Sequence, residues 1–130
     1  PQAAAVDAFR QRWSGLCLYL APPFVLLARV LREVRQQQPL SCTLLAPLWP
    51  TQAWWSPLLE MTLQFRVLGP AWRVLLHPSK QKTLTSQDRR ARSFLVVAFR
   101  LSGLTCNSRD TVLKLSTELY AGSRQVQETL

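Results

Sequence analysis

An apolar run that ends in two consecutive prolines is the feature that most constrains how this chain can fold. Residues 15–21 are GLCLYLA, and Pro22, Pro23 and Phe24 follow directly. The run is too short for a buried helix, and proline ends a strand because it has no N–H to donate to the ladder. We therefore expect a strand over residues 15–21. Because it is apolar on both faces, it is typical of a parallel sheet covered by helices.

A helix and a second strand follow this run. Proline suits the first helical position, so we expect a helix from Pro22 to about Gln37. SCTLLA, residues 41–46, is the next strand candidate, and strand, helix and strand in this order form a parallel βαβ unit. One arc of the helix is apolar (Phe24, Leu26, Leu27, Val30, Leu31, Val34), and the opposite arc carries Arg29, Arg32 and Arg35, either as a solvated face or as a phosphate-following one.

The composition changes at Pro78, and this change divides the predicted architecture. The predicted fold is α/β: a parallel βαβ domain over residues 1–77, a basic linker over residues 78–92 and a small helical tail over residues 93–130. PSKQKTLTSQDRRAR is polar and without periodicity, which favours the linker. The tail includes a helix over residues 93–102 and a second one from about residue 107 to Gly122.

Two shorter elements complete the predicted domain. Ser56 and Pro57 suggest a cap and a first-turn proline for a helix to about Gln64. Residues 65–77 alternate loosely around Gly69-Pro70, which predicts two short strands joined by a turn.

The charge of the chain points to polyanions. Sixteen Lys and Arg residues against seven Asp and Glu residues give a formal net charge of +9. Such a balance favours nucleic acid as a partner, with a generally basic surface or a membrane surface as the alternatives. The linker is the most cationic segment, and it either binds phosphates without sequence preference or is simply solvated. Its candidate phosphate-contacting residues are Lys80, Lys82, Arg89, Arg90 and Arg92.

Three tryptophans crowd the segment after the second predicted strand. They are Trp49, Trp54 and Trp55. Ligands of α/β sheets bind beyond the carboxyl ends of the strands, so these rings are candidates for a rim that stacks nucleic-acid bases. The alternative is that they close the end of the core, because a tryptophan buries a large area.

The sequence contains no complete catalytic or metal-binding motif. Phosphate-loop, dinucleotide-binding and HExxH patterns are missing, and the three cysteines, Cys17, Cys42 and Cys106, lack zinc or disulfide spacing. His77 is the only histidine and has no nucleophile signature beside it. We expect no metal, no cofactor and no autonomous enzyme. The prolines interrupt both long uncharged runs, so we also expect no membrane span and an intracellular protein, nuclear or cytoplasmic.

Several of these segments together resemble a known family. The order VDAF, W, PPF, VLREVRQ, APLWPTQAWW and LLEM resembles the polyprotein of DIRS-type (tyrosine-recombinase) retrotransposons. The similar region follows the reverse transcriptase and RNase H and carries a domain related to Dam-like adenine methyltransferases. FLVVAFRLSG is similar to a stretch that precedes the recombinase in the same polyproteins. The match is piecewise over residues 6–62 and 94–103.

The resemblance implies a partial Rossmann-like (methyltransferase-like) fold for the βαβ domain. It also implies a degenerate methyltransferase-like motif at Ala21, Pro22, Pro23 and Phe24. In such enzymes an Asp or Asn before Pro-Pro-aromatic accepts a hydrogen bond from the target amino group, and the aromatic ring stacks on the flipped base. Ala21 has no acceptor, so only the stacking role of Phe24 remains. The glycine-rich S-adenosylmethionine loop has no counterpart in residues 1–20.

Three functions follow from these observations. The first is a non-catalytic fragment of a retrotransposon polyprotein that binds nucleic acid without sequence preference. The second is a residual or split DNA adenine methyltransferase that upstream residues complete and that then binds S-adenosylmethionine. The third is a pseudogene-like translation product with no selected function. The absence of an initial methionine favours a fragment, and a fragment that exposes apolar surface is prone to self-association.

Overall fold

The computed structural model describes residues 8–74, 93–104 and 107–129. The fold of these residues is mixed α/β, with a four-stranded mixed sheet in the order β1-β2-β4-β3. The strands are β1 (Cys17–Leu20), β2 (Ser41–Pro47), β3 (Thr62–Pro70) and β4 (Leu95–Leu101). The helices are α1 (Leu27–Gln37), α2 (Trp55–Met61), α3 (Ala71–Val74) and α4 (Arg109–Thr129), with 3-10 turns at Ala8–Arg10 and Phe24–Leu26.

The predicted βαβ unit is confirmed. β1 and β2 pair in parallel, Tyr19 lies opposite Thr43, and α1 makes the crossover between them. The proline pair ends β1, and the helix begins with the 3-10 turn, in which the Leu26 N–H donates to the Pro23 carbonyl at 2.9 Å. α1 ends where Gln38 takes a φ of +46° and its N–H donates to the Val34 carbonyl.

One face of the sheet, which we call the covered face, holds the main core. The apolar arc predicted for α1 packs onto it, while the three arginines of the helix are exposed. Leu119 of α4 and the apolar side of α2 complete this layer. The buried side chains that the strands contribute to this main core are Cys42, Leu44, Ala46, Val97, Phe99 and Leu101, which alternate along β2 and β4 as a sheet covered on this face requires.

The helix predicted over residues 93–102 is wrong, because this segment is the strand β4. It pairs antiparallel with both β2 and β3 and so occupies an interior position in the sheet. Adjacent β-branched residues, Val96 and Val97, favour a strand, and the two ladders satisfy its backbone groups. The expected helix stop, Gly103, instead lies against the end of α1: an added Cβ would lie 2.8 Å from Gln38 Cγ and 3.0 Å from the Val34 carbonyl oxygen.

Two further sequence predictions differ from the structure. The first strand is not buried on both faces, because β1 is at the edge of the sheet and Tyr19 is 68% exposed. The two short strands predicted around Gly69 are one nine-residue strand, β3, that leads into α3. The register of β3 shifts twice, and Gly69 sits at one of these bulges with a φ of +145° that favours glycine. His77 and residues 78–92 lie outside the described residues.

The helix predicted near the end of the chain is confirmed, but its boundaries differ. Ser108 provides the N-terminal cap, since its Oγ accepts from the Thr111 N–H at 3.3 Å. The helix does not stop at Gly122 and continues to Thr129. Gly122 lies near Val67 of β3, so packing on the sheet supports the helix at the residue that the sequence suggested as its end.

Hydrogen bonds from Thr62 and from residues that follow β4 hold the C-terminal end of α2 in place. Thr62 Oγ1 donates to the Leu58 carbonyl at 2.8 Å, and Asn107 Nδ2 donates to the Leu59 carbonyl at 2.8 Å. The Asn107 N–H donates to the Glu60 carbonyl at 3.1 Å, and the Ser102 N–H donates to the Met61 carbonyl at 2.8 Å. The last four carbonyls of a helix have no partner within it, and here each one has a partner. Asn107 Nδ2 also donates to the Thr62 carbonyl at 2.7 Å, which links α2, β3 and the start of α4.

Within the parts of the chain that the structure describes, no helix combines the length and the apolar character that a membrane crossing needs.

We predict that Asn107→Asp lowers the free energy of unfolding by roughly 1–3 kcal/mol. The carboxylate has nearly the shape of the amide but cannot donate to the Leu59 and Thr62 carbonyls, and the side chain is half-buried. Urea unfolding followed by circular dichroism measures the change. Gln64→Glu, an amide-to-carboxylate change at an exposed position, is the control and should be close to the wild type. Equal stability of Asn107→Asp and the wild type would contradict the role of Asn107.

We predict opposite effects of alanine at two glycines. Gly122→Ala should raise the free energy of unfolding by up to about 1 kcal/mol, since alanine favours a helix and its Cβ would meet Val67 at an ordinary 3.6 Å. Gly103→Ala should lower it by roughly 1–3 kcal/mol, because the nearest atoms include the backbone of α1. Thermal and urea unfolding test both. A loss of stability in Gly122→Ala would instead indicate a helix that ends at this residue.

Candidate nucleic-acid interface

The methyltransferase-like motif lies at the carboxyl ends of the two parallel strands, as predicted for a ligand site in an α/β sheet. Ala21 to Phe24 follow β1 directly, and Ala21 and Pro23 are exposed. Together with Leu45 of β2 they line a cleft of about 400 Å³. Carbon atoms of alanine, proline, phenylalanine and leucine side chains form its lining, so the cleft suits an apolar or aromatic group.

Phe24 belongs to an aromatic cluster beside this cleft. Its ring centroid lies 5.2 Å from that of Trp49 and 5.6 Å from that of Phe94, in edge-to-face arrangements. The Trp49 and Phe94 centroids are 5.0 Å apart. All three rings are half-buried, so they hold the strand ends together and expose part of their surface. Sequence reasoning missed Phe94, because it lies within the segment that was predicted to be a helix.

Trp54 and Trp55 do not join Trp49 in a stacking rim. Their exposed fractions are 8% and 4%, and both belong to the main core. The Trp55 ring packs edge-on against Phe99 at 5.9 Å. A ring buried among core side chains offers no free face to a base. For Trp54 and Trp55 the structure therefore supports the alternative, that the rings close the end of the core. Trp49 alone of the predicted rim lies beside the cleft.

The cleft has no group for acid–base or nucleophilic chemistry. The methyl group of Ala21 occupies the position where the resemblance expects a hydrogen-bond acceptor, and no residue that lines the cleft titrates. Among the described residues there is also no group of three or more His, Cys, Asp and Glu residues that could hold a metal ion. The residues that line the cleft are therefore apolar and uncharged.

The two described cysteines differ in environment. Cys17 is exposed on β1, whereas Cys42 is buried on the covered face of β2. Burial raises the pKa of the Cys42 thiol from 9.0 to about 11, because the low-dielectric core disfavours the thiolate. Cys42 is therefore protonated at neutral pH and acts as a small core residue, as its apolar sequence context suggests. Cys106 lies outside the described residues.

The predicted cationic contacts divide into two groups. Lys80, Lys82, Arg89, Arg90 and Arg92 lie outside the described residues. The arginines of α1 are described, and two of them have partners within the chain. The Arg29 guanidinium lies 3.9 Å from the centroid of the Phe9 ring, and Arg35 Nη2 donates to Met61 Sδ at 3.8 Å. Arg32 is exposed on the same helix face and lines a groove of about 370 Å³ with Trp54 and Pro57.

A second basic surface, not predicted from the sequence, lies on the face of the sheet opposite the covered face. We call it the open sheet face and define it by Tyr19, Thr43, Gln64, Arg66 and Arg100. Thr43 is half-buried, and the other four are exposed. Thr43, Gln64, Arg66 and Arg100 line one concavity of about 380 Å³. α3 packs against the other end of this face through Ala71, which contacts Leu45 and Val96.

Comparisons with family models, curated proteins and solved structures found no match to this chain.

Proposed function

We propose that this chain is a non-catalytic module of a DIRS-type retrotransposon polyprotein and that it binds nucleic acid without sequence preference. The observation that carries the proposal is the uneven distribution of a net charge of +9. The only charged residues in the four strands are Arg66 and Arg100, and both are exposed on one face of the sheet. Positive charge on this face matches a phosphate backbone, which supplies most of the affinity in sequence-indifferent binding.

The absence of reactive groups at the strand ends supports a non-catalytic module. A methyltransferase of the type that the sequence resembles needs an acceptor side chain at the position of Ala21. The described strand ends provide aromatic and apolar surface instead, through Phe24 and Trp49. Such surface serves binding, since every nucleic-acid base has an aromatic face that can contact it.

The assignment to a retrotransposon polyprotein rests on the sequence resemblance. The parallel unit of β1, α1 and β2, with the Pro-Pro-Phe turn at the strand end, fits the Rossmann-like fold that this resemblance implies. In the parent polyprotein a nucleic-acid-binding module of this kind would hold template or product near the enzymatic domains. The basic segment with Lys80, Lys82, Arg89, Arg90 and Arg92 is proposed to add phosphate contacts.

We predict salt-sensitive binding to single-stranded DNA and RNA. Fluorescence anisotropy with labelled oligonucleotides should give micromolar dissociation constants at low salt. The logarithm of the association constant should fall linearly with that of the salt concentration, with a slope of about −0.7 for each phosphate contacted. Thymine and adenine oligonucleotides of equal length should bind within a few-fold of each other. No binding at micromolar protein in low salt would refute the proposed function.

A second candidate function is a residual or split adenine methyltransferase. It is favoured by one observation, the Pro22-Pro23-Phe24 turn beside a cleft at the carboxyl ends of parallel strands. This function requires upstream residues that bind S-adenosylmethionine.

Calorimetry with S-adenosylmethionine, on this chain and on a version extended upstream, tests the second candidate. The proposed non-catalytic function predicts no heat of binding with either protein. Binding by the extended version, together with methyl transfer restored by Ala21→Asp, would favour the methyltransferase, because aspartate supplies the missing acceptor. Ala21→Val, in which the exposed position gains a larger side chain without a hydrogen-bond acceptor, is the matched control.

A further inference from the structure

We propose that the open sheet face is the surface on which this chain holds single-stranded nucleic acid, with Tyr19 stacking on a base and Arg66 and Arg100 contacting phosphates. This inference rests on the proposed function and assigns it to one surface. It differs from the sequence-based candidates, which placed stacking at the tryptophans after β2 and phosphate contacts in the segment after α3.

The register of the sheet aligns these side chains. Tyr19 lies opposite Thr43, Thr43 opposite Arg100, and Arg100 opposite Gln64, so one row of residues crosses all four strands. Neighbouring strands are about 4.8 Å apart, which places the backbone at Tyr19 about 10 Å from that at Arg100. Arg66 lies two residues along β3 from Gln64, on the same face and opposite Ala98. The row therefore offers a ring at one end and two cations at the other.

Tyr19 presents an exposed aromatic ring on this face. Its side chain is 68% exposed although it lies in a strand, between the half-buried apolar residues Leu18 and Leu20. Exposed aromatic rings on a sheet are the usual stacking platforms for unpaired bases, and a four-stranded sheet accommodates two or three of them. Arginine guanidinium planes add stacking or phosphate contacts next to such a ring. Thr43 supplies an uncharged hydrogen-bonding group between Tyr19 and Arg100, and Gln64 supplies another on the far side of Arg100.

The positive charge of this face favours a polyanion as its ligand over a second copy of the chain. No strand contains Asp or Glu, and the acidic side chains of the described elements lie on helices. Contact between two open sheet faces would bring Arg66 and Arg100 of both copies together, and like charges at close range oppose such a dimer. The phosphate groups of a nucleic acid, in contrast, are negatively charged and compensate the charge of the two arginines. A single strand fits better than a duplex, because its bases are free to lie on the sheet.

The outer face of α1 is less suited to this role. Arg29 lies over the Phe9 ring and Arg35 donates to Met61, so two of its three arginines already have contacts within the chain. No exposed aromatic ring accompanies Arg32 there, since Trp54 is buried. This helix face therefore provides a matched control for the experiment.

The experiment compares exposed-residue variants of the full chain in binding to a thymine oligonucleotide of about 12 nucleotides. Tyr19→Ser should weaken binding by about 5-fold to 100-fold, the range for loss of one base–aromatic stack, whereas Tyr19→Phe should retain it. Arg100→Gln and Arg66→Gln should each reduce the magnitude of the salt slope by about 0.7. Arg32→Gln, the control, should leave affinity and slope nearly unchanged. Thermal unfolding confirms that each variant folds.

Photocrosslinking identifies directly which part of the chain contacts a base. A 5-iodouracil oligonucleotide, irradiated in complex with the wild type, should form an adduct on the peptide that contains Tyr19, and peptide mass spectrometry locates it. The inference is overturned if all open-face variants bind the oligonucleotide with the affinity of the wild type, or if Arg32→Gln alone weakens binding. In both cases the proposed function is retained. It is also overturned if sedimentation shows a dimer that Tyr19→Ser dissociates. If the wild type binds no nucleic acid, both proposals fail.

Discussion

The alternation of side chains across β2 and β4 is the constraint on which the rest of this structure depends. Cys42, Leu44 and Ala46 point to one side and meet α1, α2 and α4, whereas Thr43 and Arg100 point to the other. A shift of β4 by one residue would place Arg100 in the core and Phe99 on the opposite face. The two-sided character of the sheet, with one apolar face and one basic face, follows from this register.

Local sequence patterns predicted the first half of the fold well. The apolar run before Pro22, the amphipathic arc of α1 and the run from residue 41 each have a period or a break that indicates one element. Together they imposed a parallel βαβ unit, and the pairing of Tyr19 with Thr43 confirms it. The position of the Pro-Pro-Phe turn at the strand ends followed from the same logic, because ligand sites in such units lie beyond the carboxyl ends.

Long-range contacts decided what local patterns could not. A run such as FLVVAFRL is compatible with helix or strand, and pairing with β2 and β3 makes it a strand. Gly103 and Gly122 have the form of helix stops, but one makes room for the end of α1 and the other rests against β3. The open sheet face could not be predicted from local sequence patterns for the same reason. Its residues come from four strands, and only the register of the sheet brings Tyr19 into line with Arg100.

The interior place of β4 has a consequence for the order in which this protein can form. β2 and β3 lie on either side of a strand that follows both of them in the sequence. During synthesis, each of the two therefore presents an unpaired hydrogen-bonding edge until residue 101 has left the ribosome. Such edges readily bind other strands, so the nascent chain is the stage most exposed to misassembly, and a chaperone that covers extended segments would protect it.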